Sequence, residues 1–282
     1  MSSSAPTKRH LRPNTLPAGK GLANWLRPFL TVSVGMKATT AITGALLTGF
    51  LIVHLIGNLK VLDGPDAIND YAHSLQTLGP LLWIGRAGLL SIFLLHLILA
   101  LWLAKRAWAA RPIGYRYRAT IQATWASRTM PYTGLVILAF AAFHIAHYTL
   151  GGFETVRARS IHTGKMVQSN YLDLVDAQGR HDVYSMVVMG FSDPIVSTIY
   201  VLAMLLLFVH LKHGIGSVFQ TLGLNTPRLQ PWVRRFGFLF AFLICFGNIA
   251  LVSTIWLGQV PIDPSPRTTA GEIPAQPRVP AG

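Results

Sequence analysis

Long apolar runs alternate with short polar ones along this chain. Five stretches contain no Asp, Glu, Lys or Arg. They lie between Lys37 and Lys60, Arg86 and Lys105, Arg128 and Glu154, Asp193 and Lys212, and Arg235 and Asp263. A helix that crosses the hydrocarbon core needs about 20 mostly apolar residues. Each stretch meets that need, the second with help from the apolar residues before Arg86. The pattern predicts spanning helices at 37–62, 81–104, 129–151, 194–216 and 236–258, and so an all-α integral membrane protein. Around them it predicts a polar N-terminal tail over 1–28, one membrane domain over 29–260 and a C-terminal tail over 261–282. The connecting segments 63–80 and 152–193 share one side. The second is long enough for a small folded piece, and its Tyr, Val and Met residues suit a short hairpin. After Gln259 come Pro261, Pro264, Pro266, Pro274, Pro277 and Pro280, a composition expected to stay extended and poorly ordered.

Composition agrees with a bilayer. Hydrophobic residues make up 51% of the chain and charged ones 12%, against roughly 25% charged in soluble domains. The net charge of +14 would by itself suit nucleic acid, but its distribution gives a different reason. Residues 1–37, 105–128 and 212–235 carry 16 of the 24 Lys and Arg and none of the 10 acidic residues. By the positive-inside rule that side is cytoplasmic. The N-terminus is then inside and the C-terminus outside, and the charge calls for no nucleic-acid partner. It sets a positive field for anionic lipid or an acidic docking protein. The first 28 residues are basic and proline-containing, without the short apolar core of a cleavable signal. The single cysteine, Cys245, can form neither an internal disulfide nor an iron–sulfur cluster, and reads as a small buried apolar residue.

Six of the ten histidines fall inside the spans: His54, His96, His144, His147, His210 and His213. Ionisable side chains in a span are costly and usually functional, although a histidine can also simply hydrogen-bond across helices. Depth separates the two readings. With about 1.5 Å of rise per residue, His54 and His144 lie beyond the middle of outward-running helices. His96 and His210 lie beyond the middle of inward-running ones. His54 therefore pairs with His144 on the outer side, and His96 with His210 on the inner side, roughly 10–15 Å apart in height. Neutral imidazole is a common iron ligand, and two imidazoles complete a haem. Two stacked haems held by a four-helix bundle are the expected arrangement. Thr43-Gly44 and Thr133-Gly134 stand at matching distances before His54 and His144. These glycines would either let a haem edge approach at the inner level or ease helix packing. His147 and His213, each three residues from a ligand, are left for hydrogen bonding or for contact with a haem propionate or a quinone.

The runs Leu51-Ile52-Val53-His54-Leu55-Ile56-Gly57-Asn58-Leu59, Phe93-Leu94-Leu95-His96 and His210-Leu211-Lys212-His213-Gly214 through Gln220-Thr221-Leu222-Gly223, with the loop Gly64-Pro65 through Asn69-Asp70-Tyr71-Ala72, resemble the dihaem cytochrome b subunit of succinate dehydrogenase and fumarate reductase. The resemblance covers about residues 30–260. It implies two haems b, with the second and fourth helices holding the proximal haem and the first and third the distal one. It selects His210 over His213 by the spacing to Gly214, and His144 over His147 by the spacing from Thr133-Gly134. It implies a flavoprotein subunit and an iron–sulfur subunit as partners, menaquinone or another quinone as substrate, and a bacterial cytoplasmic membrane, and it allows a higher oligomer of the complex. Some members carry a glutamate for proton transfer two residues before the fourth-helix ligand. Here that residue is Phe208, and no acidic residue lies inside any span.

With no dinucleotide fingerprint and no cluster cysteines, the chain's own work would be electron transfer and quinone chemistry. Lys37, Arg86, Arg128 and Lys212 stand at helix ends and are candidates for propionates, although such residues commonly snorkel to the interface. Asn58, His73 and Gln76 are candidates for an outer quinone site, and Ser33, Lys37 and His213 for an inner one. The cytochrome b subunits of membrane hydrogenases and formate dehydrogenases compete within the same class, and a proton-handling transporter or channel competes from another. The charge asymmetry makes one prediction directly. A phosphatase reporter, active only outside, is expected to be silent when fused in 105–128 or 212–235 and active when fused in 152–193; the reverse pattern contradicts the orientation.

Overall fold

The computed structural model describes residues 22–110, 124–151, 155–263 and 266–271. Most of the 1–28 tail, the middle of the basic 105–128 connection and the end of the 261–282 tail lie outside the described residues. A short amphipathic helix, α1 (Leu22–Thr31), precedes the first span, α2 (Ser33–Leu59). After a 3-10 turn come α3 (Pro65–Gln76) and the second span, α4 (Pro80–Ala109). The third span is α5 (Trp125–His144), continued by a π-turn over Ile145–Thr149. The connection between the third and fourth spans holds β1 (Thr155–Ser160), β2 (Met166–Asn170), β3 (Leu174–Val175) and α6 (Val183–Ser192). The last two spans are α7 (Pro194–Thr221) and α8 (Gln230–Trp256), and β4 (Arg267–Thr268) follows.

Among the described residues five helices are long and apolar enough to cross a membrane, and the chain is built as an α-helical membrane protein. The helices outrun the predicted spans, mostly at the ends carrying basic side chains. α8 starts at Gln230 rather than 236, and α4 continues to Ala109 rather than 104. Beyond the hydrocarbon, hydrogen bonding still favours the helix, so hydropathy alone marks the ends too early. Several starts have local causes. Thr124 accepts a hydrogen bond from Ser127 N at 3.1 Å. Asp193 accepts from Ile195 N and Val196 N at 2.7 and 3.0 Å, ahead of Pro194, which needs no amide partner.

α2 and α7 form the centre. α7 packs along α8, α5 and α2, while α4 lies along α2. The half of the α7–α8 seam nearer the basic helix ends is closed by Leu207, Leu211, Ile215, Ala241, Ile244 and Cys245, where Cys245 is fully buried. The half nearer the acidic ends is closed around Tyr200, Leu251, Val252 and Ile255. Trp83, Ile84, Ile98, Trp102, Leu239 and Leu243 remain exposed on the outside of the bundle, as expected for side chains that meet lipid.

The segments joining the spans on the acidic side form a cap. β1 and β2 make the anticipated hairpin, and α3 and α6 add two helices too short or too polar for span-length hydropathy to mark. The proline-rich tail departs from its expectation over Arg267–Thr268. These residues pair with Arg159–Ser160 of β1 and with Leu174–Val175 of β3, giving the sheet order β2-β1-β4-β3. Proline disfavours a helix here, and Pro266, which has no N–H to give a ladder, stands just before the strand rather than in it. Pro266 still accepts a hydrogen bond from Arg159 N at 2.7 Å, and Thr268 is fully buried.

Asn69 of α3 pins this cap. It is fully buried, donates to Asp176 and Asp182 at 3.3 and 3.1 Å and accepts from Tyr184 N at 3.0 Å. Arg180 bridges Asp66, Asp70 and Asp176 beside it. Tyr71 lies over Gly57 at the end of α2, so close that a Cβ there would fall 2.7 Å from its ring. At the opposite face Arg106 ties down the elbow between α1 and α2, donating to Thr31 O and Ser33 Oγ at 3.4 and 3.2 Å.

The cap yields a prediction. Asn69→Ala leaves buried groups unsatisfied and is expected to cost about 1–3 kcal/mol, read as faster proteolysis between 155 and 182 with the spans intact. Burial alone would raise the Asp176 carboxyl, but hydrogen bonds from Arg180 and from the Arg180 and Gln178 amides bring it below the ordinary value of 3.8. The folded carboxyl thus binds its proton more weakly than the unfolded one. Its contribution is complete above that value and is lost as pH falls below it, so acid is expected to open the cap before the bundle.

Candidate functional site

Four half-buried imidazoles lie within the spans, one each from α2, α4, α5 and α7. The structure brings His54 of α2 and His144 of α5 together, edge to face, with ring centroids 5.7 Å apart. Phe50 stacks on His54 at 5.4 Å and Phe140 on His144 at 6.1 Å, walling the pair with apolar rings. Two metal–imidazole bonds of about 2 Å each would put two ring centroids about 6 Å apart. The observed separation is of that size.

His96 and His210 are each seated on a helix other than their own. His96 Nδ1 lies 3.0 Å from Thr40 O and 3.1 Å from Thr43 Oγ1 on α2. A carbonyl can only accept, so Nδ1 carries the proton. The Thr43 hydroxyl donates back to Thr39 O at 2.8 Å and is likewise left as acceptor. His210 Nδ1 lies 3.1 Å from Thr133 Oγ1 on α5, and that hydroxyl donates to Met130 O at 3.1 Å. Both rings are therefore held with a protonated Nδ1 and a lone pair on Nε2, the nitrogen a metal would take.

The two Thr-Gly pairs acquire a role that spacing had left open between haem contact and helix packing. They receive imidazoles. A Cβ on Gly44 would fall 3.0 Å from His96 Cε1, and one on Gly134 would fall 3.6 Å from His210 Cε1. Glycine provides the seat, and the threonine before it, buried in both cases, accepts the hydrogen bond. Because Gly44 and Gly134 each stand ten residues before His54 and His144, the two histidine levels differ by about 15 Å.

Sequence reasoning missed Tyr200. It projects from α7, is 5% exposed, and its hydroxyl lies 3.1 Å from His144 Nδ1 and 3.3 Å from His147 Nδ1. The π-turn that follows His144 carries His147, which is buried. A tyrosine in an apolar run gives no periodic signal, and only the packing of α7 against α5 shows where its hydroxyl goes.

The remaining candidates lie further out. His213 hydrogen-bonds Ser217 of its own helix at 3.2 Å. Ser33 accepts from Arg106, Asn58 is half-buried near the end of α2, and His73 and Gln76 are exposed on α3. Among the propionate candidates, Lys37 and Arg128 are exposed. Arg86 lies over the Trp83 ring at 4.9 Å and Lys212 over Phe238 at 5.5 Å, so Lys212 is turned towards α8. Phe208 also faces α8, edge-on to Phe238 and Phe246.

Comparison with models of known families, with curated proteins and with solved structures finds no match.

The inner seats generate a prediction with an asymmetry. Removing the hydrogen-bond partner of a metal-bound histidine costs about 10–100-fold in affinity. If these rings take haem, Thr133→Val is expected to fall in that range for haem titrated into the purified chain, because it removes the acceptor of His210. Thr43→Val is expected to fall below it, because Thr40 O still holds His96. Equal losses, or none, would count against the seating.

Proposed function

We propose that the chain is the dihaem cytochrome b anchor of a succinate:quinone oxidoreductase, carrying electrons between an iron–sulfur subunit and menaquinone or another quinone. The observation that carries this reading is the set of four imidazoles, one on each of four spanning helices, set at two depths. At the inner level Nε2 is left as the lone-pair nitrogen of both rings. The resemblance to the succinate dehydrogenase and fumarate reductase anchors supplies the partners and the substrate class.

In this reading His96 and His210 ligate an inner haem b, and His54 and His144 an outer one. Haem iron supplies one-electron carriage within a span where no side chain does so readily. The chain's own residues do the rest. Thr40, Thr43 and Thr133 orient the inner imidazoles, Phe50 and Phe140 dry the outer pair, and the cap covers the outer end. Lys37, Arg86, Arg128 and Lys212 remain the propionate candidates, and Ser33, Asn58, His73, Gln76 and His213 the quinone candidates. The basic face, taken as cytoplasmic in a bacterial membrane, would receive the iron–sulfur subunit, with the flavoprotein subunit beyond it.

Pyridine haemochrome analysis of the purified chain is expected to give two haems b. His96→Leu and His210→Leu should deplete one spectral component, and His54→Leu and His144→Leu the other. Soluble-dye succinate oxidation should survive wherever the complex assembles. Absence of haem b would leave a histidine-lined transporter as the better account, and loss of the same component from His96→Leu and His54→Leu would refute the pairing.

A further inference from the structure

We infer that the Tyr200 hydroxyl is the positioning group of the outer site, accepting the Nδ1 proton of His144 and donating its own to His147 Nδ1. The inference rests on the assignment of His144 as an iron ligand. Phe140, Phe143 and Phe191 surround Tyr200 with ring centroids at 5.0, 5.9 and 4.8 Å. In such a setting a buried phenol uses protein partners. It has one proton to give and lone pairs to accept with. Two imidazole nitrogens stand within reach, at 3.1 and 3.3 Å. If the hydroxyl gives its proton to one, it accepts from the other.

The two directions are not equivalent. With the phenol proton on the His144 side, the neutral His144 ring carries its own proton on Nε2 and offers no lone pair to a metal. With the phenol proton on the His147 side, His144 carries Nδ1–H and presents Nε2, while His147 is held in the opposite tautomer. One hydroxyl thus distinguishes two histidines three residues apart. The π-turn over Ile145–Thr149, closed by Leu150 N to Ile145 O at 2.9 Å, follows His144 directly and carries His147 within reach of the same oxygen. Such turns often mark functional sites. Tyr148 and Tyr171 roof His147, with centroids at 4.0 and 6.0 Å, so the far end of the chain of hydrogen bonds is fixed by the cap. The inner site differs in kind, because its threonine hydroxyls pass their protons to main-chain carbonyls.

The test uses the assembled complex in its membrane, with redox titration and low-temperature EPR of Tyr200→Phe, His147→Leu and His147→Gln beside His144→Leu. Without its acceptor the His144 imidazole becomes a weaker donor and favours ferric iron less. Tyr200→Phe is expected to keep both haems and leave the inner signals unchanged. The outer potential should rise by up to a tenfold change in ferric-over-ferrous preference, about 59 mV, and the outer low-spin signal should shift as the ring turns. His147→Leu should move both readouts the same way by less, and His147→Gln, whose amide oxygen can take the phenol proton, should restore them. Outer signals identical to the parent in Tyr200→Phe, or in His147→Leu, overturn the inference and leave the haem assignment standing. Retention of both haems in His144→Leu overturns the assignment itself.

Discussion

An imidazole kept within the hydrocarbon must spend both of its nitrogens, because no water is there to satisfy either. His96 and His210 spend Nδ1 on oxygen atoms of a neighbouring helix, and His144 spends Nδ1 on the Tyr200 hydroxyl. Each arrangement commits a second helix. α4 is drawn onto α2 through Thr40 and Thr43, and α7 onto α5 through Thr133 and Tyr200. Of the helix pairs that pack, α2–α4 and α5–α7 are joined by these hydrogen bonds, so in those two pairs the contacts that orient the rings also hold the helices together.

The small residues follow from that requirement. A ring can reach the threonine of another helix only where nothing projects between them, and Gly44 leaves a gap that a single carbon would close to 3.0 Å. The Thr-Gly pair is then one unit, with the glycine admitting the ring and the threonine turning it. Its repetition on α2 and α5 sets both inner rings at one height and both outer rings about 15 Å away. In the proposed electron path this spacing would separate the two haem levels. The fifth span stands outside this scheme. α8 packs along α7 with Cys245 and Ala241 against it, and takes up the Phe208 and Lys212 side chains that flank His210.

The acidic ends are closed by a folded cap, whereas the described residues at the basic ends are α1 with its elbow and the short turn between α7 and α8. Asn69, Arg180 and the β4 strand join pieces of chain more than a hundred residues apart in sequence, and the cap's aromatic side chains extend down to His147. The outer pair is therefore the more enclosed, with phenylalanines beside it and tyrosines above it. The inner pair lies nearer the cationic helix ends, where a soluble electron-carrying partner of the proposed kind would have to dock.

Much of this was legible in the order of residues. Within a bilayer the hydropathy of a run decides whether it spans, and the fixed rise of a helix turns position into depth. The five spans, the charge asymmetry and the two histidine levels need no knowledge of neighbours. The even spacing of Thr43-Gly44 and Thr133-Gly134 was visible too, but not what they face. Facing depends on how helices rotate against one another, and a run that is apolar all round carries no mark of its inner side. Only the tertiary structure could put His96 on α2, His210 on α5, and one Tyr200 hydroxyl between His144 and His147. The cap escaped for a related reason. α3 is polar, α6 is apolar but too short to span, and the strand after Pro266 has no hydropathy to announce it; these pieces are held by Asn69, Arg180 and strand-pairing contacts that exist only once distant segments meet.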